Sequence, residues 1–197
     1  GNMRFYGDSI ISGGRLVNES KKYYDTINKN VYSYENPKIY FDKNLEFYNN
    51  DIENHGELII NGDALLSHNA PYRCFSTLYN SGKCNINGDV YLGGDLETDS
   101  YFSISNGSSG IICINGSLSG TLVGNYIEND GTLKLMGSSA IYNYSAGEDS
   151  ELYINELKVN KFVCYPKNAN ITINDLLDIT ELRGDKAVFK IYISQEK

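Results

Sequence analysis

A short phrase returns along this chain: LIINGD at 58–63, CNINGDVYLGGDL at 84–96 and ICINGS at 112–117, with worn copies LKLMGS, LYINEL and ITINDL further on. Alone, an Asn-Gly pair between two alternating runs signals a β-hairpin. Hairpins have no need of a period, whereas a period of about 20 residues is the mark of a stacked repeat. Small residues two places ahead of each apolar pair (Gly56, Gly82, Gly110, Gly131, Ser150, Ala169) are separated by 26, 28, 21, 19 and 19 residues, and one further step back lands on Pro37. Seven apolar pairs then align: Ile39/Phe41, Leu58/Ile60, Cys84/Ile86, Ile112/Ile114, Leu133/Leu135, Leu152/Ile154 and Ile171/Ile173.

Each pair is spaced i, i+2, which is a strand with one buried face. The residue after six of these pairs is Asn61, Asn87, Asn115, Asn155 or Asn174, with Met136 in one copy, and Gly follows in four copies. Asn and Gly tolerate the left-handed backbone of a sharp bend, and stacked Asn side chains hydrogen-bond along a ladder. These five asparagines are therefore the expected structural ladder, with Asn18 expected to be exposed. A second corner is marked by IENHG, LYNSG, ISNGSSG and IENDG, which carry Asn54, Asn80, Asn106 and Asn129. Between the corners lies a second strand with Leu45/Phe47, Ala64/Leu66 and Val90/Leu92, and loops of variable length absorb the unequal intervals.

The fold expected from this pattern is all-β: a right-handed parallel β-helix of about seven coils with terminal caps, in a single domain. Stacked parallel strands place equivalent positions above one another, and right-handedness follows the general crossover rule. Residues 1–36 are expected to form an N-terminal cap segment, 37–180 the coils and 181–197 a C-terminal cap strand. Residues 175–184, DLLDITELRG, read as a short helix closed by Gly184, and AVFKIYI at 187–193 as an alternating strand.

The unit I-x-N-x-G-x-L-x-I-N-G resembles the rungs of right-handed β-helix adhesins and autotransporter passenger domains. INGDVYLGGDL is also similar to repeats of exported surface and pilus-associated proteins of low-GC bacteria. The resemblance covers roughly residues 37 to 180 and implies a surface-exposed β-solenoid; it carries the fold much further than any activity.

A formal charge of −8 argues against nucleic acid as a partner, because phosphate neutralisation needs clustered Lys and Arg. No apolar run reaches the roughly 18 residues that span a bilayer, so no membrane span is expected within the sequence. An export signal or anchor is expected upstream of Gly1, with the protein extracellular or at the cell surface. The four cysteines, Cys74, Cys84, Cys113 and Cys164, show no C-x-x-C spacing, so zinc is not expected; every disulfide pairing, including none, stays open.

Chemistry-bearing residues are few. Asp95, Glu97 and Asp99 share a strand face and form a candidate Ca²⁺ site, with a solvated acidic loop as the plainer reading; otherwise no cofactor is expected. Asp63 and Asp89 follow corner glycines in neighbouring coils. They form either a pair for acid/base chemistry on a glycan or ordinary turn residues. His55 and His68 are expected at the surface. Cys84 is expected to face the core and Cys113 to face out. Outward aromatics Tyr40, Tyr79, Tyr91, Tyr153 and Tyr165 are candidates for a sugar-stacking surface. The balance favours a non-catalytic exported structural or adhesive module that binds a surface glycan or protein. The alternative is a β-helical carbohydrate-active enzyme, a polysaccharide lyase or glycoside hydrolase.

Overall fold

The computed structural model describes residues 2–12, 14–19, 22–25, 30–33, 37–68, 75–97, 99–147, 149–164, 170–183 and 190–193. Among the described residues every regular element is a β-strand, and a 20-stranded sheet holds all but one hairpin. Its strands fall into three parallel ladders that the chain visits in turn. The first ladder joins Met3–Phe5, Lys38–Phe41, Glu57–Ile60, Lys83–Ile86 and Ile111–Ile114. It continues through the opening residues of the long strands Thr132–Ala146, Glu151–Cys164 and Asn170–Arg183, and ends on Lys190–Ile193.

The second ladder runs through Ser9–Ser12, Leu45–Tyr48, Ala64–Ser67, Val90–Leu92 and Leu118–Gly120, then through the middles of the long strands. The third joins Leu16–Asn18, Ile52–Asn54, Phe75–Asn80, Ser100–Asn106 and Tyr126–Asn129, then the ends of the long strands. Antiparallel pairing among the described strands is confined to Gly94–Asp95 with Ser100–Tyr101 and to the hairpin Lys22–Asp25 with Asn30–Ser33.

Alternation explains which side chains go inside. The aligned pairs on the first ladder form two inward columns, and Leu58, Ile60, Ile86, Ile114, Leu135 and Ile154 are all at most 1% exposed in one continuous core. Leu45, Ala64, Val90 and Leu118 add a column from the second ladder, and Ile52, Leu78, Ile104 and Ile127 one from the third. Phe47 and Phe102 meet edge to face, with ring centroids 6.4 Å apart. The core is filled by contacts made on every level rather than by one central cluster.

Three expectations are corrected here. Residues 1–36 contain more than a cap segment, because Met3–Phe5, Ser9–Ser12 and Leu16–Asn18 extend all three ladders by a full repeat. Residues 175–183 are strand rather than helix: Leu177 and Ile179 pair with Leu157 and Val159, so the sheet already in place dictates their conformation over their helical composition. Gly184 lies outside the described residues. Finally, the corner glycines are not left-handed; positive φ occurs at Asn49, Asp99, Asp149 and Gly14 among the described residues. Close stacking is what requires them. A Cβ on Gly88 would sit 2.5 Å from the Gly62 carbonyl, and one on Gly137 2.5 Å from the Gly116 oxygen.

Candidate functional site

The two asparagine corners differ because of parity. Asn54 stands two residues after inward Ile52, so it too points inward, whereas Asn61 directly follows inward Ile60 and points out. The inner row runs Asn18, Asn54, Asn80, Asn106, Asn129, each Nδ2 donating to the next Oδ1 at 2.7 to 2.8 Å. All five are at most 4% exposed, which corrects the expectation that Asn18 is a surface residue. The same amides donate to backbone oxygens, for example Asn54 to Lys83 at 2.8 Å and Asn106 to Thr132 at 3.1 Å. At the far end Asn129 donates to the Tyr144 hydroxyl at 3.2 Å, because the next position in the ladder is Ala146.

The expected ladder is the outer row, and it is short and exposed. Asn87 donates to Asn61 at 3.0 Å and Asn115 to Asn87 at 2.7 Å. Met136 occupies the next position and supplies no amide, so Asn155 and Asn174, both exposed, are not joined to Asn115.

Beside it, carboxylates cap backbone. Asp63 Oδ1 accepts the Asp89 N–H at 2.8 Å, and Asp89 Oδ1 accepts the Ser117 N–H at 2.7 Å. Turn chemistry therefore accounts for both. In the acidic loop, Asp95 accepts the Glu97 N–H at 2.9 Å, and Asp99 accepts the Tyr101 hydroxyl at 2.7 Å. Among the described residues no group of three or more His, Cys, Asp and Glu side chains is arranged to hold a metal.

The tyrosines are spread over three faces. Tyr40 and Tyr153 share the outward column of the first ladder, Tyr91 is on the second and Tyr79 on the third. Tyr165 lies outside the described residues. Two of the rings already carry cations: Arg4 lies 5.8 Å from the Tyr40 centroid and Lys134 5.2 Å from that of Tyr153. Tyr79 and Tyr91 are 44% and 50% exposed.

His55 is exposed, with Nδ1 2.6 Å from the Ser81 hydroxyl. His68 is buried, a correction, and its Nδ1 lies 2.5 Å from Ser76 Oγ while Nε2 has no hydrogen-bond partner among the described residues. Burial holds its pKa below the usual histidine value, with Asp51 opposing. Cys84 is buried, and its surroundings push the thiol up to about 12; the Cys113 side chain is half-buried on the outer face.

The groove that spacing did not reveal runs along the corner joining the third ladder to the first. It encloses about 430 Å³ and is lined by Lys38, His55, Glu57, Lys83, Ser109 and Ile111 over a floor containing Gly56 and Gly82. Close stacking requires these glycines: a Cβ on Gly82 would be 2.8 Å from the Gly56 nitrogen. Lys38 and Glu57 pair at 2.5 Å across adjacent strands, and Lys83 stands next in the same column. The signal in the sequence was the polar residue before an anchor glycine, His55 before Gly56 and Ser109 before Gly110. Compared with protein-family models, curated proteins and solved structures, the chain finds no match.

Proposed function

We propose that the chain is a right-handed parallel β-solenoid acting as a non-catalytic adhesive module at the cell surface, and that it holds an extended glycan in the groove between the third and first ladders. The observation that carries this reading is the recurrence of polar groups at equivalent positions in the groove. Lys38, Glu57 and Lys83 stand one strand apart, at roughly 4.8 Å intervals. A polymer laid along the axis meets a cation, an anion and a cation in turn, and then Ile111. The solenoid reading is supported by three parallel ladders visited in constant order, and the surface setting by the likeness of the repeat to adhesin rungs.

The test is binding of the intact chain to an array of extended acidic and neutral glycans, repeated with Lys83→Glu and His55→Ala. Binding that falls severalfold in both variants without substrate cleavage supports the proposal. Capture of protein ligands alone, glycan binding indifferent to both variants, or cleavage of a bound polysaccharide overturns it.

A further inference from the structure

The outer row consists of three Asn-Gly pairs, and this dipeptide has a chemistry of its own. The glycine nitrogen, unhindered by any side chain on its own Cα, attacks the Asn Cγ after giving its proton to solvent. A C–N bond forms, the Cγ–Nδ2 bond breaks, and the amide nitrogen departs as ammonia. The resulting succinimide takes up one water and opens to aspartate or isoaspartate, with no change in oxidation state. Asn61, Asn87 and Asn115 are all exposed, so water reaches each of them.

Their hydrogen bonds are unequal. Asn87 is held on both sides, donating to Asn61 and accepting from Asn115, and the Gly88 N–H donates to the Gly62 oxygen at 3.1 Å. Asn61 accepts from Asn87, and its Gly62 N–H donates to the Lys43 oxygen at 3.2 Å. Asn115 ends the row at Met136. Its Oδ1 accepts only the Cys113 thiol, at 3.5 Å, and among the described residues the Gly116 N–H has no hydrogen-bond acceptor. The nucleophile is thus free at this one corner, and the electrophilic carbonyl is polarised by a thiol donor instead of being tied into the row.

We propose that Asn115–Gly116 is a site of spontaneous deamidation, reacting ahead of Asn61 and well ahead of Asn87. The change replaces the donor to Asn87 by a carboxylate. In its isoaspartate form it also inserts a methylene into the backbone where Gly116 stacks on Gly88. This inference does not depend on the proposed function.

The experiment is to incubate the folded full-length chain at mildly alkaline pH, with a parallel sample in urea, and to follow all three sites by peptide mapping that separates aspartate from isoaspartate. In the folded chain Asn115 should convert severalfold faster than Asn61, and Asn87 should be slowest. In urea the three rates should draw together, since the local sequences are nearly identical. An Asn115→Gln variant should fold normally and lose the fast phase. Equal rates in the folded chain, a faster Asn61 or Asn87, or an unchanged fast phase in Asn115→Gln overturns the proposal.

Discussion

Asn80 donates its side-chain amide to Asn106 Oδ1 at 2.8 Å inside the wall of the core, and the same amide reaches the backbone oxygens of Gly82 and Ile111 at 3.1 and 3.3 Å. One buried side chain thereby ties the third ladder to the first and one repeat to the next. Removing it strands the Asn106 Oδ1 acceptor on one side and takes an acceptor from the Asn54 amide on the other.

Asn80→Ala should therefore cost about 2 to 4 kcal/mol in urea unfolding, since each buried group left without a partner is worth roughly 1 to 3 kcal/mol. Asn87→Ala removes bonds that water replaces, and should cost no more than about 1 kcal/mol. Equal losses at the two positions would show that the inner row is not what holds the corner.

Gly88→Ala tests the stacking of the other corner. Its Cβ would meet the Gly62 carbonyl carbon at 2.5 Å, and this neighbour is backbone that cannot rotate away. A loss of roughly 1 to 3 kcal/mol or more is expected, in the range of overpacked sites. A variant as stable as the parent would mean that the repeats are further apart at this corner.

His68 predicts a pH dependence. Its folded pKa lies below the unfolded value near 6.5, so between the two values the unfolded chain binds more protons and stability falls as pH drops. Above the unfolded value the group adds no slope. His68→Gln, which keeps a polar partner for Ser76, should flatten the decline in Tm that begins as pH falls below about 6.5. An unchanged slope would place the titration elsewhere.

The thiols should separate by reactivity. With Cys74 and Cys164 replaced by serine, a disulfide reagent at neutral pH should modify Cys113 in the folded chain and Cys84 only on unfolding. The Cys84 thiol is buried and pushed up to about 12, leaving almost no thiolate. Rapid native labelling of Cys84 would refute the inward register of Lys83–Ile86.

The core was legible because strand alternation is strict where the repeat is clean, as in Leu58/Ile60 and Ile112/Ile114. The same parity marks Asn54 and His68 as inward, since they stand two residues after Ile52 and Leu66, yet polarity suggested the surface for His68. The first repeat was hidden by distance. Leu16-Val17-Asn18 matches Ile52-Glu53-Asn54 in register, but the stretch that follows, with its own hairpin, breaks the period. For the candidate tyrosines, parity correctly turned Tyr40, Tyr79, Tyr91 and Tyr153 outward, but which ladder each belongs to depends on loop lengths, and these scatter them over three faces. The groove was only hinted at by the polar residues before the anchor glycines, because its column of Lys38, Glu57 and Lys83 is assembled from three separate repeats.

The inner row also bears on how such a chain is built over evolutionary time. Successive rungs lie 36, 26, 26 and 23 residues apart in sequence, yet each bond is 2.7 to 2.8 Å. Every internal rung offers the same donor upward and the same acceptor downward, so the rungs are interchangeable. Excising one turn between Asn54 and Asn106 would bring two compatible amides face to face, and a duplicated turn would slot in as readily. Gene length can change here in whole turns without a new joint having to be invented.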